Sequence, residues 1–265
     1  MNKDLALISN EVKLIILVCG DCNTGKKTLV KQIIGDKKFN EKDNGNFISY
    51  SFNSDEFLGK EMVTVPIEIR VLNSGELETE LKTNKAFFSD ALGAFVVTSI
   101  TDNNSFANGE KWKDKIDLMC CLPNRFPLPI FLLINKYDEI INDKSKAENL
   151  LYTQKDKLEG YSLSNQFFKT FFIVKNADAE NINDKNIDIN ETEKKDNIND
   201  QTLINKEQKE KDSIVDAEVP FQELIKIIME FRDIRNAFIS QAGGIIDNTD
   251  IDGQNHKDNK KCIIY

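Results

Sequence analysis

Seven residues near the start of the chain, Gly20-Asp21-Cys22-Asn23-Thr24-Gly25-Lys26, constrain its fold more than any other feature. They follow an apolar run at 12–19 that reads as a buried strand. They open an amphipathic stretch at 26–34, with Leu29, Val30, Ile33 and Ile34 on one helical face. Glycines at both ends of such a loop let backbone N–H groups turn inward as an anion nest. The helix N-terminus adds positive potential, and Lys26 can reach the β and γ phosphates of a nucleotide. A strand, this loop and a helix in that order call for a layered α/β domain.

The rest of the chain repeats the alternation. Residues 47–58 and 63–72 read as two partly alternating strands that can pair as a hairpin around Gly59-Lys60, and 93–100, 128–135 and 171–174 as buried strands. Between them, 105–119 sets Phe106, Trp112, Ile116 and Met119 near one helical face. A last helix at 221–234 carries Leu224, Ile225, Ile228 and Phe231, with Pro220 where a first-turn proline is tolerated. The expectation is a mostly parallel six-stranded sheet with helices on both faces, a P-loop NTPase architecture.

Composition divides this chain of 265 residues. Residues 175–218 hold thirteen acidic and seven basic side chains and no aromatic residue, so they carry −6 of the total charge of −9. Such a stretch cannot bury enough surface to offset its ordering entropy. The expected organisation is therefore a main domain at 1–177, a disordered acidic Asn/Lys-rich insertion at 178–218, the last helix of the domain at 219–239 and a variable tail at 240–265. The net negative charge argues against nucleic acid as a partner. A single histidine, His256 in a polar stretch, argues against a His-based hydrolase. The start, Met1-Asn2-Lys3-Asp4, lacks the apolar core of a secretory signal, and Asn2 cannot be myristoylated. Five cysteines, two of them adjacent, do not make a disulfide framework, which suggests a cytoplasmic protein. Cys19-Gly20-Asp21-Cys22 has C-x-x-C spacing, but it lies within the phosphate loop with Cys19 on the buried strand, so a redox role is set aside.

A second motif lies at the end of the strand at 128–135. Asn135-Lys136-Tyr137-Asp138 has the N-K-x-D spacing of guanine recognition. Its aspartate accepts from two N–H donors that guanine has and adenine lacks, the lysine stem covers the ring, and the asparagine ties the segment to the phosphate loop. Leaving such a carboxylate unpaired is costly, so the motif discriminates against other bases and against a small-molecule kinase. The phosphate loop departs from pattern one residue on. A Ser or Thr should follow the lysine to ligate Mg²⁺, but Lys27 stands there and Thr28 comes one residue late, about 100° around the helix. Either the Lys27 ammonium neutralises phosphate charge without a metal, or it points to solvent and the metal ligand is lost.

With both motifs at the right strands, the chain resembles the Ras superfamily of small GTPases, and within it the Rab family. Phe87-Phe88-Ser89-Asp90-Ala91-Leu92-Gly93-Ala94-Phe95-Val96-Val97, then Ser99-Ile100-Thr101-Asp102-Asn103-Asn104-Ser105-Phe106, resembles the Rab pattern of paired aromatics, apolar strand and acidic turn. Together with Lys111-Trp112-Lys113 and Leu122-Pro123-Asn124, Gly93 to Val97 is similar to the Rab subgroup of lysosome-related organelles. The resemblance covers about 12–183 and 219–235. It implies a small G domain that binds GTP and GDP, works as a monomer with effector and regulator proteins, and serves vesicle trafficking. On it, the family's D-x-x-G-Q falls on Leu72-Asn73-Ser74-Gly75-Glu76. The Mg²⁺-orienting acid is then a leucine, and Glu76 replaces the glutamine that positions the attacking water. A carboxylate cannot donate to developing negative charge, so Glu76 is a degenerate catalytic residue, while the Gly75 N–H can still sense a γ-phosphate. The first switch threonine corresponds to Ser49, to Ser51 or to nothing, and the base-supporting S-A-K to Lys175-Asn176-Ala177 or Ala177-Asp178-Ala179. The expected nucleotide contacts thus run through 20–28, Gly75, Asn135, Lys136, Asp138, Asn176 and Ala177, with the metal left undetermined.

The last residues, Cys262-Ile263-Ile264-Tyr265, read as a C-a-a-X box after Lys257, Lys260 and Lys261. A prenyl thioether on Cys262 plus this basic patch supplies the two weak signals that stable anchoring needs, on the cytosolic face of an endomembrane. Two functions follow from these residues: a switch that binds guanine nucleotide with little or no hydrolysis, or a pseudo-GTPase that binds effectors independently of nucleotide.

Overall fold

β1 (Leu14–Cys19) is buried along its whole length, six residues without polar alternation, as a strand covered on both faces requires. The computed structural model describes residues 12–58, 61–72, 85–122, 125–142, 155–174 and 214–241. β1 pairs in parallel with β4 (Glu61–Leu72) on one side and β5 (Ala91–Ser99) on the other. Beyond β5 lie β6 (Ile130–Asn135), β7 (Lys169–Ile173) and β8 (Ile214–Val215), all parallel. Beyond β4, β3 (Phe47–Leu58) and the edge strand β2 (Phe39–Asp43) run antiparallel. The order is β2-β3-β4-β1-β5-β6-β7-β8.

This is the mostly parallel α/β sheet expected, with eight strands among the described residues instead of six. The six strands read from the sequence are all present, and β3 and β4 pair as the expected hairpin from Phe47↔Leu72 to Leu58↔Glu61. The additional strands sit at the edges. β2 is exposed at all five residues, so backbone pairing to β3, not burial, holds it. β8 is two residues long and lies within the stretch that composition assigns to the insertion. Most of that insertion, 178–213, and the tail from 242 lie outside the described residues.

Helices α1 (Lys26–Ile34), α2 (Lys85–Phe88), α3 (Asn103–Met119), α4 (Tyr137–Asn142), α5 (Lys155–Ser164), α6 (Glu218–Glu230) and α7 (Arg232–Gln241) cover the sheet. β5 divides them by strand alternation. A Cβ on Gly93 would touch Leu224 and Ile228 of α6, whereas one on Gly109 of α3 would touch Val96 and Thr98, so helices occupy both faces. Phe106, Trp112 and Ile116 point into the core as their spacing predicts, but Met119, the last residue of α3, is 37% exposed. The helix expected at 221–234 is broken. It stops at Glu230, Phe231 is extended with φ −72° and ψ 109°, and its ring packs on Phe126 at 6.0 Å. Pro220 falls in the first turn of α6, where its missing N–H costs no helical bond.

Arg70 on β4 anchors α2. Its guanidinium donates to the carbonyls of Ala86, Phe87 and Ser89 at 2.8, 3.1 and 2.8 Å, and its Nε to Glu68 at 2.7 Å. Lys13 completes the group with a 2.8 Å bond to Glu68. Burial alone would raise the Glu68 carboxyl, but the bonds from Lys13 and Arg70 outweigh it and hold the group below its ordinary value.

Candidate functional site

Parallel pairing brings the two motifs to one edge. Cys19 is level with Val96 of β5, and Ser99 of β5 with Asn135 of β6, so the loops after β1 and β6 leave the same C-terminal end of the sheet and flank β5. Chain connections diverge there to either side of β1, which is where open α/β sheets form ligand crevices.

The loop at 20–25 has a backbone only glycine could supply at two points. Gly20 has φ +140°, and a Cβ there would lie 2.2 Å from the Val97 carbonyl oxygen. Gly25, left-handed at φ +86°, caps α1, and its Cβ would lie 2.3 Å from Asn135 Nδ2. That amide is close because it donates to the Thr24 carbonyl at 2.8 Å. The asparagine therefore does tie the two motifs together, as its place in the sequence predicts. Lys26 is buried, and its ammonium donates to the carbonyls of Gly20 at 2.8 Å and Asp21 at 2.7 Å. Thr24 Oγ1 also donates to the Asp21 carbonyl, at 3.0 Å.

In the second motif Lys136 is left-handed at φ +65°, an uncommon state for a side chain with a Cβ. Tyr137 is buried with its ring 4.7 Å from that of Phe172, which secures the segment to β7. Asp138 then lies in the first turn of α4 at 9% exposure. A buried carboxylate is tolerated where hydrogen-bond donors meet it.

The residues expected to hold Mg²⁺ do not fit one. Lys27 and Thr28 are both exposed on the first turn of α1. Leu72, where the metal-orienting acid would stand, is 2% exposed at the end of β4 and pairs with Phe47. An ammonium and a buried alkyl group offer no oxygen to a hard cation. Among the described residues no group of three or more His, Cys, Asp or Glu comes together as a metal site. Ser49 and Ser51, the candidates for a switch ligand, are built into β3. Ser49 is buried, and its hydroxyl accepts from Asn44 at 3.1 Å.

Gly75, Glu76, Asn176, Ala177 and Cys262 lie outside the described residues. Sequence reasoning missed two residues that touch the loop: Asn108 Nδ2 and Trp112 Nε1 of α3 donate to the two carboxylate oxygens of Asp21 at 2.7 and 3.0 Å. Their four-residue spacing places them on one helix face. Nothing local linked that face to residue 21. Of the C-x-x-C pair, Cys19 is buried and Cys22 exposed. Among the described residues no helix is long and apolar enough to cross a membrane.

With a glycine-bounded loop after β1 joined to N-K-x-D after β6, the architecture is that of a P-loop guanine-nucleotide fold. The chain belongs to the Ras family, whose model matches residues 13–185. It is similar to Ras-related protein Rab-7L1 of Homo sapiens and of Rattus norvegicus. Each is 24% identical over 123 residues, 46% of this chain and 59% and 58% of the relative. It is also similar to Ras-related protein Rab-32 of Mus musculus, 42% identical over 55 residues, 21% of this chain and 25% of that one. The chain thus spans about three fifths of the length of the Rab-7L1 relatives it matches.

Proposed function

We propose that the protein is a Rab-like switch in membrane trafficking that binds GTP and GDP with little dependence on Mg²⁺ and hydrolyses GTP weakly or not at all. The observation that carries this reading is the 2.8 Å bond from Asn135 to Thr24, which joins a phosphate loop to a guanine-recognition segment across the end of β5. Lys26 and the loop N–H groups would take the phosphates, Asp138 the base donors and the Lys136 stem the ring face. GTP brings the bond to be cleaved; the chain's own residues bind and orient it. Departures fall on turnover instead of binding. Lys27 and Leu72 remove the metal ligands, and Glu76 replaces the residue that orients water. Relatives with these parts intact hydrolyse unaided at only on the order of 10⁻⁴ s⁻¹, so little activity is left to lose.

Titration of the purified protein with labelled GDP and GTP, with and without EDTA, tests the reading. Binding that survives EDTA, with no phosphate released, is expected; tight Mg²⁺-dependent binding with turnover would refute it. One feature favours a nucleotide-independent effector module as the second reading: Lys26 is already satisfied by two carbonyls of its own loop. That module predicts no binding at micromolar protein. A lipid on Cys262 would bring either form to a membrane where effectors and regulators meet it. Cys262→Ser should release the protein to the cytosol, and unchanged membrane association would sink the anchor.

A further inference from the structure

Asp21 places a negative charge inside a loop that, on the reading above, has to receive phosphates. It is the only acidic residue in 20–26. Left free, its carboxylate would repel the ligand and compete for the same N–H groups. It is not free. Asn108 Nδ2 reaches Oδ2 at 2.7 Å and Trp112 Nε1 reaches Oδ1 at 3.0 Å, one donor for each oxygen from successive turns of α3. Trp112 is 0% exposed, so its indole N–H has no solvent to bond and needs an internal acceptor. Lys111 donates to Asn108 Oδ1 at 3.1 Å, which fixes the amide with its NH₂ toward Asp21.

The backbone of the same residue is engaged from inside the loop, its carbonyl accepting from Lys26 and Thr24. Asp21 is thus the point where the phosphate-binding lysine and α3 meet. α3 is itself secured at its start, where Asp102 accepts from the Asn104 N–H and the Ser105 hydroxyl accepts from the Ser99 N–H of β5.

Resting on the guanine-nucleotide reading, we propose that Asn108 and Trp112 are positioning residues of the nucleotide site: they hold both carboxylate oxygens of Asp21 against α3, preserve the shape of the loop and keep its one negative charge off the bound phosphates. Trp112→Phe keeps an aromatic ring and removes the N–H, but it also leaves a gap where the larger indole is fully buried, which is why recovery of affinity on removing the Asp21 charge is the deciding readout. Asn108→Ala frees the other oxygen at a partly exposed position and serves if the first variant folds poorly.

The test measures GDP and GMP affinity for the wild-type chain, both single variants and the double variant Trp112→Phe/Asp21→Asn, with thermal midpoints alongside. Each single change should weaken GDP about tenfold, the worth of one charge-assisted bond. GMP should be affected less, because fewer phosphates meet the released carboxylate. Removing the charge in the double variant should restore most of the GDP affinity lost in Trp112→Phe. A merely structural role for the indole would not give that recovery. Unchanged GDP affinity in both single variants, equal losses for GDP and GMP, or a double variant weaker than Trp112→Phe would overturn the proposal while leaving the nucleotide reading intact. Failure of the wild-type chain to bind GDP would overturn both.

Discussion

Gly25→Ala is the most informative single perturbation of the site, because its cost has two separable parts. Gly25 is left-handed at φ +86°, and an alanine there carries about 1–2 kcal/mol of backbone strain. Its Cβ would also sit 2.3 Å from Asn135 Nδ2, closer than any real contact, so that amide must leave its place. Leaving breaks the 2.8 Å bond to the Thr24 carbonyl, worth about 1 kcal/mol. The alanine variant should lose about 2–3 kcal/mol of unfolding free energy. Asn135→Ala alone should lose about 1 kcal/mol, the bond only. In the double variant the obstacle and the bond are both gone already, so only strain is added and the total stays near that of Gly25→Ala. The two changes then fall short of additivity by about 1 kcal/mol. Urea unfolding of the four proteins, without nucleotide, measures this cycle. Additive losses would refute the claim that Gly25 is glycine partly to admit Asn135.

Asp138→Ala should weaken GDP by about 100-fold, the cost of leaving two base donors unpaired, with ADP binding unchanged; parallel GDP and ADP titrations check it. Of the four described cysteines, Cys22 and Cys121 are exposed and should alkylate in the folded protein, while Cys19 and Cys120 should not. Burial raises the Cys120 thiol to about 12, so at pH 8 it carries almost no thiolate. GDP should protect Cys22 and leave Cys121 reactive, as peptide mapping of iodoacetamide adducts would reveal. Glu68, held below its ordinary value, contributes stability that is present above the unfolded carboxylate range and lost as pH falls through its lowered folded value. Glu68→Gln should therefore be less stable than wild type at pH 7 and converge with it in acid, which denaturation midpoints across pH would record.

Local order made much of the molecule legible in advance. Six apolar strands, the helix after the phosphate loop and the hairpin at 47–72 follow from periodicity, because burial on one or both faces is written into neighbouring residues. The edge strand β2 was not legible: Phe39-Asn40-Glu41-Lys42-Asp43 has little strand propensity and no buried face, and it exists because β3 offers unpaired backbone groups. The break at Phe231 was hidden for a similar reason, since its ring packs against Phe126, far away in the chain.

The site divides along the same line. By itself the sequence determined the phosphate loop, the N-K-x-D segment and even the tie through Asn135, because backbone geometry and donor chemistry confine such motifs to particular strand ends. Only the tertiary structure decided that Lys27 and Thr28 are exposed, that Leu72 is sealed in the sheet, and that Arg70 anchors α2. It alone brought Asn108 and Trp112, 87 and 91 residues along the chain, onto the carboxylate of Asp21. A helix face is visible in sequence as a face. What it meets is set by how the sheet beneath it stacks.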